Sequence, residues 1–132
     1  MNFFKKLFKP DPEVDYQYAL REDIKGNYKK AYWLFEKAAQ NGLVKAQFEC
    51  GYMCLRGRGT TKNISRAFDY IQKAASEDYY KAQYLLSQMY LLGIGTNKDA
   101  HEANNWMQKA KQHGRDIMKL SYLDLWEGNE LE

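Results

Sequence analysis

The 132-residue chain is long enough for one domain and carries 20 lysines and arginines against 17 aspartates and glutamates, a net charge of +3 with the two signs interspersed. That balance argues against bulk nucleic-acid binding, which needs a basic stripe to displace counterions from phosphates, and no apolar run approaches the ~18–20 residues of a membrane-spanning helix. Eleven tyrosines, six phenylalanines and three tryptophans are the unusual quantity; some pack a core, and tyrosine also presents large area with a polar tip at interfaces.

Residues 1–12 open the chain. Phe3, Phe4, Leu7 and Phe8 fall on one helical stripe, with Lys5, Lys6 and Lys9 elsewhere, the pattern of a short amphipathic helix. The lysines interrupt any signal-peptide core, and no small-residue cleavage site comes after them. The expectation is a terminal segment that packs on the adjoining domain or stays mobile, with contact to a membrane surface as the competing use. Pro10-Asp11-Pro12 then stops it and starts the main domain over residues 13–127.

A first helix is predicted over 13–24, with Val14, Tyr18 and Ala19 available to the core. Lys25-Gly26-Asn27 turns the chain, and a second helix over 28–40 carries Ala31, Leu34, Phe35 and Ala38 at i, i+3, i+4 and i+7. Asn41-Gly42 supplies the stop.

The tripeptide Lys37-Ala38-Ala39 returns as Lys73-Ala74-Ala75 and, eroded, as Lys109-Ala110-Lys111, 36 residues apart each time. A fixed period in this range marks a repeat array in which stacked helical hairpins build the core. At the same offset stand Ala46 and Ala82, Gln47 and Gln83, Phe48 and Tyr84, Gly51 and Ser87, Gly57 and Gly93, Gly59 and Gly95, Lys62 and Lys98, and Ala67 and Ala103. Small residues at Gly51, Ser87, Ala67 and Ala103 let paired helices approach closely. Asn63 and Asp99 sit where an N-cap satisfies the first free amides of the second helix.

This pattern of Ala-x-x-x-x-Gly/Ser, Gly-x-Gly-Thr, an Asn/Asp cap and then Ala-x-x-x-Ile/Met-x-Lys-Ala resembles the Sel-1-like repeat family, relatives of the tetratricopeptide repeat, over residues 14–126. The resemblance implies an all-α, α/α superhelical solenoid of about three helical hairpins plus a C-terminal capping helix, serving as an adaptor or scaffold in protein complexes. The tyrosine usual late in the first helix is replaced by Cys54 in one unit, and the first hairpin has a shorter turn than its successors. The capping helix is expected over 115–127. Ile117, Leu120, Tyr122, Leu123, Leu125 and Trp126 make it apolar nearly all round, so self-association through Leu123 and Trp126, a homodimer, is a further expectation. Residues 128–132 form a short acidic tail.

Catalysis and cofactors find no support. His101 and His113 lie near opposite ends of one predicted helix, and Cys50 with Cys54 supplies no four-ligand metal set. The cysteines sit four apart in one helix, where Cβ atoms are about 5–6 Å apart, beyond the ~3.5–4.5 Å of a disulfide. They read as free core thiols of a cytoplasmic protein. Gly57-Arg58-Gly59 and Gly93-Ile94-Gly95 come after helices rather than strands and read as turns, not phosphate cradles.

The first helix of each hairpin is expected to line the concave surface. One row is Tyr16, Phe48, Tyr84 and Leu120; the next, four residues on, is Leu20, Tyr52, Gln88 and Asp124, with Leu91 close by and Lys45, Arg56 and Lys81 at the edge. Such an aromatic strip edged with positive charge suits a partner protein or peptide carrying acidic residues; the competing reading of Phe48 and Tyr84 is packing between repeats. A narrower version is a bacterial immunity or antitoxin protein that neutralises a toxin. A membrane-peripheral assembly factor using the N-terminal aromatics is the second class, and an enzyme the third.

Overall fold

In the computed structural model the described residues are 9–113, and they form six α-helices with no strand among them. These are α1 (Pro12–Ile24), α2 (Tyr28–Gln40), α3 (Val44–Arg56), α4 (Ile64–Ser76), α5 (Tyr80–Leu92) and α6 (Ala100–His113). The capping helix expected over 115–127, with Leu120, Leu123, Asp124 and Trp126, lies outside the described residues. So do Phe3, Phe4, Leu7 and Phe8.

Local chemistry sets the helix starts. Asp11 accepts a hydrogen bond from the Glu13 amide at 3.0 Å, and Pro12 occupies the first turn, where a missing N–H costs nothing. Asn63 caps α4 through the Arg66 amide and Asp99 caps α6 through the Glu102 amide, both at 3.0 Å. Gly57 and Gly93 end α3 and α5 in the left-handed conformation, with φ of 66° and 70°, a geometry that a Cβ disfavours.

Helices pack chiefly on their neighbours in sequence: α1 on α2, α3 on α4 and α5 on α6 as hairpins, with α2 on α3 and α4 on α5 joining them into a solenoid. The small residues act as spacers. Ala19, Gly51 and Ser87 occupy one position of successive first helices, and all are buried. A Cβ on Gly51 would lie 2.7 Å from Ile71 Cδ1, closer than van der Waals contact permits. Ala31, Ala67 and Ala103, and likewise Ala38, Ala74 and Ala110, are buried along the second helices. The larger Leu34, Phe35, Ile71, Leu85, Leu86 and Met89 fill the layers between them.

Two sequence expectations change, since Val14 and Tyr18 are exposed rather than core. Their equivalents one repeat on, Ala46 and Cys50, are buried, but among the described residues no hairpin precedes α1 to cover the same positions. The first hairpin also differs at its turn, where Asn27 makes no side-chain cap on α2. Its amide instead donates to the buried Glu22 carboxylate at 2.7 Å, so the short turn is locked from inside.

Candidate partner-binding site

The first helices meet along one surface. Lys45 on α3 reaches α1, pairing with Glu13 at 2.7 Å while its ammonium sits 4.5 Å from the centre of the Tyr16 ring. Phe48 stacks on Tyr52 with centroids 6.2 Å apart and tilts against Tyr79, just ahead of α5, at 5.4 Å. Burial pushes the Tyr79 phenol up, and the phenol of Tyr16 adds to the effect although the two residues belong to the first and third hairpins.

The two expected rows separate by depth. Leu20, Lys45, Tyr52, Arg56, Lys81 and Tyr84 are half-buried on this face. Tyr52 accepts a hydrogen bond from Arg56 Nη1 at 3.0 Å, and the guanidinium lies 5.4 Å from its ring centre. Tyr16, Phe48 and Gln88 are instead buried. Tyr16 sets its ring edge-on to Phe35 at 5.5 Å within the first hairpin, and burial pushes its phenol up to about 12. Phe48 is held between Tyr52 and Tyr79. Gln88 sits beside Ser87, its amide 3.5 Å from the Ser87 hydroxyl, against the start of α6. Leu91 is about half exposed and lines an open cleft of about 210 Å³ with Ser87, Ala103 and Met107 at the last described hairpin. Its equivalent Leu55 one repeat earlier is buried. Fewer of the expected residues are half-buried than the two rows would give, and Lys45 is paired with Glu13.

Two residues of this face escape a sequence reading: Glu49 and Tyr79. Glu49 is only partly exposed, and burial lifts its carboxyl from 4.5 to about 7, with Lys81 pulling the other way. Its charge in turn opposes ionisation of both Tyr16 and Tyr79. The repeat gives no signal for Glu49: its equivalents are Gln17, which is exposed, and Leu85, which is buried.

Elsewhere the chemistry is structural. Cys50 and Cys54 are free and buried, and Cys54 Sγ lies 3.5 Å from the Tyr32 hydroxyl; burial pushes the Cys50 thiol up, which suppresses its thiolate reactivity. His101 and His113 are exposed. Among the described residues no cluster of histidine, cysteine and carboxylate side chains could hold a metal ion, and no helix is long and apolar enough to cross a membrane.

The Sel1 repeat profile matches residues 14–43, 44–79 and 81–114. The chain belongs to the Sel1 repeat family. Its hairpins coincide with the three matched units, and Sel1 repeats are in general protein-interaction modules. Among solved structures the chain is similar to a Sel1 repeat protein from Oxalobacter formigenes, with a TM-score of 0.77 and 29% identity over 98% of this chain and 57% of that one. It is also similar to c5321, a protective antigen of uropathogenic Escherichia coli with an SLR fold, at a TM-score of 0.76 and 25% identity over 86% of this chain and 25% of the other. Among curated proteins, the mouse DAP3-binding cell death enhancer 1 is 36% identical over 62 residues, 46% of this chain and 12% of that protein. The chain thus spans about an eighth of that curated relative and little more than half of the Oxalobacter structure.

Proposed function

We propose that this Sel1 repeat array is a non-enzymatic adaptor that captures one partner protein on its concave face, with Tyr52, Arg56, Lys81 and Tyr84 as the principal contacts and Leu20 at the edge. The observation that carries the reading is the half-buried aromatic and cationic row on successive first helices, where rigid rings offer contact area at little entropic cost and guanidinium or ammonium groups select carboxylates. The family supports it at the level of protein binding, as does the mouse relative, whose name records a protein that it binds.

The test is affinity capture from the native cell with the tagged full chain, followed by mass spectrometry and a dissociation constant for the captured protein. The double variant Tyr52→Ala, Tyr84→Ala should weaken binding at least tenfold. Trp33→Ala, which alters an exposed ring on α2 rather than on a first helix, should bind as the parent does. Equal binding by all three chains, each with native helical content, would overturn the proposal.

A further inference from the structure

The outer side of α1 carries apolar surface that later repeats cover. Val14 is 63% exposed and Tyr18 42% exposed, and with Asp11, Glu13, Gln17 and Arg21 they line an open cleft of about 300 Å³. Lys30 donates to the Tyr18 hydroxyl at 3.1 Å, and its ammonium lies 4.8 Å from the ring centre. The equivalents of Val14 and Tyr18 in α3, Ala46 and Cys50, are fully buried, and α3 packs on the second helix before it.

Two contacts fix how a first helix lies on the second helix that precedes it. Cys54 Sγ of α3 lies 3.5 Å from the Tyr32 hydroxyl of α2, and Gln83 Nε2 of α5 donates to the Ala75 carbonyl of α4 at 3.1 Å. Shifted by the 36-residue period, the second contact sets Gln47 opposite Ala39, seven residues back along α3 from Cys54 and seven on along α2 from Tyr32. One antiparallel register therefore describes both pairs, and residues 41–43 and 77–79 join them with connectors of equal length.

α1 opens at Pro12, 32 residues before α3 opens at Val44, and residues 9–11 stand where 41–43 join the later pair. Carried back by that offset, the register places Phe4 opposite Tyr18 and Phe8 opposite Val14, and it sets Phe3 and Lys5 at the positions of Phe35 and Lys37. We propose that residues 1–8 are a shortened second helix that docks on the outer side of α1, with Phe4 against Tyr18 and Phe8 against Val14. So short a helix is marginal alone, and burial of its apolar stripe supplies the stability. Lys5, Lys6 and Lys9 suit the C-terminal end of such a helix, and two of the three charges lining the cleft, Asp11 and Glu13, have the opposite sign. Docking in this way withholds the aromatic stripe from a lipid surface and covers the edge on which a second array could stack.

Urea unfolding of the full chain in double-mutant cycles tests the register. Phe4→Ala should raise the unfolding constant about 10-fold in the parent but only about 2- to 3-fold in Tyr18→Ala. Phe8→Ala and Val14→Ala should couple in the same way, whereas Phe4→Ala should add to Leu91→Ala, at the last described hairpin. The coupling should hold over roughly a hundredfold range of chain concentration, and the parent should not float with phosphatidylcholine–phosphatidylserine vesicles. Additive cycles at both pairs would overturn the docking. Coupling that grows with concentration would seat the segment on a second copy, and vesicle binding abolished by Phe4→Ala would give the aromatics to lipid; either result overturns docking within one chain.

Discussion

Gly59 packs directly against the main-chain carbonyl of Tyr28, and one repeat later Gly95 lies against that of Ile64, the residue 36 positions after Tyr28. The Gly-x-Gly loop thus does two things. Its first glycine ends the helix, and its second brings the loop against the start of α2 or α4 in the preceding hairpin; at Gly59 this is a backbone-to-backbone approach that no side chain allows, while at Gly95 a Cβ would meet Phe68 Cβ at 2.9 Å and the Ile64 carbonyl at 3.2 Å.

Gly59→Ala should therefore be costly for two separable reasons, a left-handed backbone (φ +75°) and a collision with a carbonyl that cannot yield. Together these amount to about 2–4 kcal/mol. Gly26 has the same backbone handedness (φ +85°) but open space around it, so Gly26→Ala should cost only about 1–2 kcal/mol. Urea unfolding of the two variants separates the terms; equal losses would mean that the Tyr28 contact carries no weight.

Gly51 tests the close approach inside a hairpin. A Cβ there meets Ile71 Cδ1 at 2.7 Å and Tyr70 Cβ at 3.0 Å, so Gly51→Ala should destabilise by about 1–2 kcal/mol despite alanine's better helix propensity of about 1 kcal/mol. Ile71→Val removes the Cδ1 methyl at a cost of about 1 kcal/mol. In the double variant the new methyl occupies the vacated volume, so the combined loss should fall well short of the sum, and a double-mutant cycle that comes out additive would contradict the packing.

The order and bounds of the helices were legible because the repeat states them three times over: the alanine spacers, Asn63 and Asp99 as caps, and the glycine loops all recur at one offset. Burial of individual first-helix residues was less so. Phe48 is covered by Tyr52 and Tyr79, and Val14 is uncovered because α1 has no predecessor among the described residues. Both facts depend on the neighbouring hairpin rather than on the residue's own helix. Glu49 was overlooked for a related reason. In one helix it reads as an ordinary solvated charge, and its partial burial is a tertiary property that no spacing within α3 announces.

Helix capping gives a simpler test. Asn63→Ala removes the acceptor for the Arg66 amide and should lower stability by about 1 kcal/mol at any pH where the chain is folded. Asn27→Ala acts differently, since Asn27 caps nothing with its side chain but donates to Glu22. Its cost should be present at neutral pH and fade in acid as that carboxylate takes up a proton. Chemical denaturation of both variants at pH 7 and pH 3 checks the contrast; a pH-independent loss for Asn27→Ala would show that the Glu22 bond is not the cause.

Glu22 and Glu49 should move the stability of the parent chain in opposite directions. The Asn27 amide, helped by Lys30 and Lys25, holds Glu22 below the ordinary 4.5. Its stabilisation is therefore present above 4.5 and lost as pH falls through the lowered folded value. Burial raises Glu49 from 4.5 to about 7, so the folded state binds its proton more tightly than the unfolded chain does, and stability declines as pH rises from about 4.5 to about 7 before levelling off. Glu22→Gln should be less stable than the parent at pH 7, with the gap narrowing as pH falls below 4.5. Glu49→Gln should match the parent at pH 4 and exceed it at pH 8. Urea midpoints across this range decide the matter, and a Glu49→Gln profile that tracks the parent between pH 4 and pH 8 would mean that the Glu49 carboxyl is not desolvated in the folded chain.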